Sequence, residues 1–147
     1  MPYGATPADH QREAPLLNYV HNGLAGYLAR YRKQQPVERV DGAIVLFFDR
    51  RYRVFCRPAP HGDLVLESRI IDLPSDPYQA EDVVRECLLA SWVRMLESSD
   101  IPTLSDDELS IVIQQRIPSD ASVDETESAL ESYINALSDW RRIFKIV

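Results

Sequence analysis

The chain has 147 residues, 45% of them hydrophobic and 27% charged, with a net charge of −7 and a pI near 4.9. A chain of this size can build one core without disulfides or metal, and its acidity argues against nucleic-acid binding, which needs a basic surface to displace counterions. No apolar run approaches the roughly 20 residues needed to span a bilayer, and the N-terminus lacks the basic start and apolar run of a signal peptide, so a cytoplasmic location is expected.

Residues 1–14 hold Pro2, Gly4 and Pro7 without clear periodicity. They are expected to form a flexible arm, with a single domain over residues 15–147. From Pro15 onward Leu16, Leu17, Val20, Leu24, Tyr27, Leu28 and Tyr31 recur at helical spacing, which predicts a helix ending before Pro36. Tyr27 and Tyr31 continue its core stripe, whereas Tyr19 falls off it. Gly23 and Gly26 sit mid-helix, where each costs about 1 kcal/mol against alanine. Close packing against them is one reading, and tolerated weakness is the other.

Residues 40–73 read as three antiparallel strands joined by two turns. Ala43 to Phe48 is apolar on both sides of the pleat, as in a strand covered on both faces. Asp49, Arg50 and Arg51 form a short polar connection. Tyr52, Val54 and Cys56 then alternate with Arg53 and Arg57, the period of a half-buried strand. Pro58, Pro60 and Gly62 force a second reversal, and Leu64 to Ile71 is the third run. The sequence does not say which face of this meander stays open.

Asp76-Pro77-Tyr78-Gln79 has the makings of a helix start, with an Asp cap and proline in the first turn. The helix predicted from Pro77 to about Ser98 carries two adjoining apolar stripes. Val83, Val84, Cys87, Leu88, Ser91 and Met95 form one, and Leu89, Trp92, Val93 and Leu96 form the other. A helix at the surface of a single domain needs only one stripe, so this one is buried on two sides, within the domain or between two subunits. Thr103-Leu104 could add a very short strand, and Leu109 to Ile117 gives a longer one, with Val112 an apolar exception on its polar side. Ser122-x-x-Glu125 is a capping box, and the last helix bears Leu130, Tyr133, Leu137, Trp140 and Phe144 toward a core.

No catalytic constellation is visible, and neither cofactor nor metal is expected. His10, His21 and His61 lack ligand spacing, and Asp106-Asp107-Glu108 lacks the alternating ligands of a calcium loop. Cys56 and Cys87 lie within apolar patterns and read as buried free thiols. Arg50, Arg51, Arg53 and Arg57 are the one basic concentration, suited to an acidic partner segment or simply to solvent.

The order helix, three-strand meander, helix, strand region, helix resembles the class I type III secretion chaperones of the Tir-chaperone family. The resemblance spans about residues 15–144. It rests on Val40-Asp41-Gly42 opening the first strand, Ile71-Asp72-Leu73-Pro74 closing the third, Leu88-Leu89-Ala90-Ser91-Trp92 in the middle helix, Leu109-Ser110-Ile111-Val112-Ile113, and Tyr133-x-x-x-Leu137-x-x-Trp140. It implies an α+β fold, an antiparallel sheet flanked by three helices. It also implies a bacterial homodimer that binds the unfolded N-terminal segment of a secreted effector without ATP. The expected dimer interface is Leu89, Trp92, Val93 and Leu96, and the expected effector surface includes Leu16, Tyr19, Leu24, Val45, Phe47 and Val54. A regulatory module of the same fold, sequestering a transcriptional or secretion regulator, is the alternative.

Overall fold

The computed structural model describes residues 21–31, 37–38 and 42–146. The N-terminal arm, Leu16 and Tyr19 lie outside the described residues. The elements run α1 (Asn22–Arg30), β1 (Val37–Glu38), β2 (Ile44–Phe48), β3 (Tyr52–Pro58), β4 (Leu64–Asp72), α2 (Pro77–Arg94), β5 (Ile101–Leu104), β6 (Ser110–Ile117) and α3 (Val123–Ile143). The strands form one antiparallel sheet in the order β1-β2-β3-β4-β6-β5, with β1 a two-residue edge. The α+β fold class inferred from the chain order therefore holds, and the short strand at Thr103-Leu104 exists as part of β5.

One face of the sheet carries the core. Leu46, Val54, Leu66 and Ile113 point there by the period of two and are fully buried with Leu130, Tyr133, Leu137 and Trp140 of α3. Each such side chain contributes about 1.5–3 kcal/mol through burial. The Tyr133 hydroxyl donates to the Ile113 carbonyl at 2.7 Å, so its polar tip is satisfied inside the core. The α3 helix begins with both bonds of the capping box: Glu125 N–H donates to Ser122 Oγ at 3.0 Å, and Ser122 N–H to Glu125 Oε1 at 3.1 Å. Asp124 and Glu125 in its first turn, and Arg141 and Arg142 in its last, suit the helix dipole.

The two glycines of α1 are explained by contact. A Cβ on Gly23 would lie 2.0 Å from Thr126 Oγ1 and 2.9 Å from the Ala121 carbonyl, and one on Gly26 would lie 2.2 Å from Val123 Cγ2. Glycine thus lets α1 lie against the first turn of α3. His21 caps α1: its Nδ1 accepts from Leu24 N–H at 3.2 Å, while its Nε2–H donates to the Pro118 carbonyl. Arg30 pairs with Asp124 at 2.7 Å and Glu127 at 3.2 Å along the same junction. Tyr31, expected in the core, is instead 41% exposed, because it lies past the end of α1 and donates its hydroxyl to Glu127.

Beyond the sheet, α2 is tied down mainly at its C-terminal end. Asp100 is buried and accepts from Trp140 Nε1 at 2.7 Å and from Arg94 at 3.2 Å, and Arg94 also reaches Asp139 at 3.1 Å. Burial opposes the Arg94 charge, but these carboxylates outweigh it and hold the guanidinium pKa above its ordinary value.

Candidate docking surfaces

The two stripes of α2 meet different fates. Cys87 is buried, with Val83 and Ala90 half-buried against the core. Leu89, Trp92 and Val93, with Leu96 just past the helix, are exposed, Trp92 at 76% and Leu96 at 90%. Leu88 and Met95, assigned from periodicity to the core stripe, are exposed too. The core meets only the narrow strip through Val83, Cys87 and Ala90, so the remaining circumference of the helix is left outside. Ile101 and Leu104 on β5, and Leu109 in the turn before β6, are further exposed apolar side chains. An apolar area of this kind marks an interaction surface.

The expected effector residues separate as well. Leu24 and Val54 are fully buried, because both point into the core beneath α3. Val45 lies on the opposite face of the sheet, yet it is buried there, paired across β2 with Val37 of β1 and Phe55 of β3. None of these three is accessible in the folded chain, and each is corrected from surface to interior. Phe47 remains, 51% exposed, with the Arg53 guanidinium 5.4 Å from its ring centre. Val112, the apolar exception on the polar side of β6, is buried on that same outer face, between Arg69 of β4 and Thr103 of β5.

Phe47 borders a cleft of about 510 Å³ at one end of the sheet. It exists because β3 and β4 pair only from Phe55↔Glu67 to Pro58↔Leu64, so the strand ladder does not extend to Tyr52–Val54 on that side. A bulge at Ile70 shifts the β4–β6 register between Arg69 and Ile71, and β4 follows β6 away from β3. The Ser68 hydroxyl bridges the parting strands by donating to the Arg53 carbonyl at 2.8 Å. Arg50, Arg51, Arg53, Arg69 and Arg141 line the cleft. The sequence displayed the first three as a cluster. Arg69 and Arg141 join them only through the fold, across separations that no local pattern carries.

The two thiols are buried, and burial pushes Cys56 up to about 12 and Cys87 up to about 11, which disfavours the thiolate at neutral pH. Among the described residues no three His, Cys, Asp or Glu side chains come together as metal ligands, and no helix is long and apolar enough to cross a membrane.

No family model matches the sequence, and no curated protein matches it. Solved structures do. SchA in the HopA1–SchA chaperone–effector complex superposes with a TM-score of 0.62 at 16% identity, covering 88% of this chain and 97% of that one. The type III secretion chaperone SycH of Yersinia pestis, in complex with a stable fragment of YscM2, gives 0.54 at 17% identity, covering 84% and 99%. A chain of the ExsC–ExsE complex gives 0.62 at 14% identity, covering 83% and 90%. The fold defined by α1, the sheet and the two long helices is thus shared with these three structures. At these identities the likeness is one of fold.

Proposed function

We propose that the protein is a type III secretion chaperone of the class I kind. In this reading it binds the unfolded N-terminal segment of a secreted effector in the bacterial cytoplasm and keeps it secretion-competent without ATP or any catalytic step. The observation that carries the proposal is the match of fold over most of both chains to SchA, a chaperone whose structure includes an effector. The exposed apolar face of α2 supports the second half of the reading, a homodimer built on Leu89, Trp92, Val93 and Leu96. Such a dimer presents two copies of the sheet to one extended cargo, whose main chain can add to an edge while its apolar side chains fill grooves. Among the described residues Phe47 is the accessible member of the proposed cargo surface, and Leu16 and Tyr19 belong to the same proposal. The free energy that holds the cargo extended comes from burying its apolar side chains, so no nucleotide is needed.

The test is co-purification. Candidate secreted proteins encoded beside this chain are co-expressed with it, full-length or lacking their first hundred or so residues. A stable complex that depends on the N-terminal segment is the expected result. Full-length cargo that is not retained, or retention independent of that segment, contradicts the proposal.

A further inference from the structure

The arginine cleft between β3 and β4 lies apart from the α2 surface and reaches the core only at its floor, where Tyr52 and Leu137 line it. Two observations set it apart from a solvated strand face. The first is concentration: in a chain of net charge −7, Arg50, Arg51, Arg53, Arg69 and Arg141 line a single depression. The carboxylate that lines it with them, Asp72, lies 3.7 Å from Arg69 and is also engaged by the Ser110 hydroxyl at 2.7 Å. The second is backbone strain. Asp49 and Arg50 occupy the β2–β3 turn with φ of 53° and 54°, the left-handed region. Hairpin turns of this hand favour Asn and Gly there, and a long side chain at such a φ costs about 1 kcal/mol or more. Arg50 is therefore a poor choice for the turn on local grounds, and it is one of the residues that line the cleft.

We infer that this cleft binds an acidic, extended polypeptide segment, the guanidinium groups pairing with its carboxylates while Phe47, Phe55 and Ile70 receive its apolar side chains. The apolar half of the lining decides between anions. The Arg53 guanidinium, 5.4 Å from the Phe47 ring centre, offers planar donors beside apolar surface, which suits alternating acidic and apolar side chains. The net negative charge of the whole molecule disfavours the long phosphate backbone of a nucleic acid. Biologically this specifies part of the cargo in the function proposed above and rests on that reading. The chemistry of the cleft does not, and its test needs no effector.

The test is fluorescence polarisation with the full chain and a labelled dodecapeptide alternating Glu and Val. The matched Gln–Val peptide and a single-stranded DNA of equal charge are the competitors. Binding of the Glu–Val peptide is expected to exceed that of the Gln–Val peptide by about tenfold or more, and to weaken as salt rises. Arg53→Glu and Arg69→Glu are each expected to weaken it about tenfold, whereas Arg85→Glu, on α2 away from the cleft, leaves it within about twofold. Circular dichroism and thermal melting confirm that each variant is folded, and Arg53→Gln, which removes the guanidinium without introducing a negative charge, serves if the Glu variant is not. Equal binding of the Glu–Val and Gln–Val peptides overturns the inference. So does insensitivity of folded variants to the substitutions, and so does DNA that displaces the peptide at lower concentration than the peptide itself. Failure here leaves the effector co-purification standing, and failure there leaves the peptide result standing.

Discussion

The two long helices, α2 and α3, make opposite use of their apolar residues. In α3, Leu130, Tyr133, Ala136, Leu137 and Trp140 are buried along one face, and the helix starts with a complete capping box. In α2 only Cys87 is buried, and the side chain of its N-cap residue, Asp76, makes no capping bond. Stability in α3 comes from within the chain. In α2, Leu88, Leu89, Trp92 and Val93 are exposed, only Val83, Cys87 and Ala90 meet the core, and polar anchorage is concentrated at Arg94 and Asp100. Apolar content alone thus does not distinguish a helix that packs into the core from one that leaves most of its large apolar side chains exposed.

Tryptophan substitutions expose that difference most sharply. Trp140→Ala empties the site between Phe144, whose ring stacks at 5.9 Å, and Arg94, whose guanidinium lies 5.6 Å from the indole. A loss of about 3–5 kcal/mol of unfolding free energy is expected by urea denaturation. Trp92→Ala, at an exposed position, is expected to cost the isolated chain less than about 0.5 kcal/mol while weakening self-association by about 2 kcal/mol or more. Equal losses of folding stability in the two variants would erase the contrast between the helices.

Asp100→Ala probes the anchor that joins them. It strips the acceptor from Trp140 Nε1 and one of the two carboxylates from Arg94, and a loss of about 3 kcal/mol is expected in the same measurement. Asp100→Asn keeps an acceptor but removes the charge, and is expected to lose less. A smaller effect comes from the caps. Ser122→Ala is expected to lower stability by about 1 kcal/mol, and Asp76→Ala by no more than a few tenths, because only the former breaks a capping bond. The reverse order would mean that α2, not α3, depends on its first turn.

Much of this was legible in the chain because local chemistry and tertiary role agree. The reversal at Pro60 and Gly62, the capping box at Ser122 and the alternation of Tyr52, Val54 and Cys56 are each set by neighbours a few residues away. Gly23 and Gly26 left close packing and tolerated weakness both open, because the element that approaches them, the first turn of α3, lies about a hundred residues further on. The effector surface was the least legible part. Period two shows that Val45 and Val54 point to opposite faces, but not that both faces are covered at those positions. The arginine cleft was half visible for the same reason: Arg50, Arg51 and Arg53 are neighbours in sequence, while Arg69 and Arg141 arrive through the bulge in β4 and the last turns of α3.

The claim that the α2 face is completed by a second copy of the chain is tested most directly by sedimentation equilibrium at micromolar concentration. The wild-type protein is compared with Trp92→Asp combined with Leu96→Asp. The expected result is a wild-type dimer and a monomeric variant whose circular dichroism and melting show a folded chain, since both side chains already lie outside the core. A monomeric wild type, or a variant that remains dimeric, would contradict it.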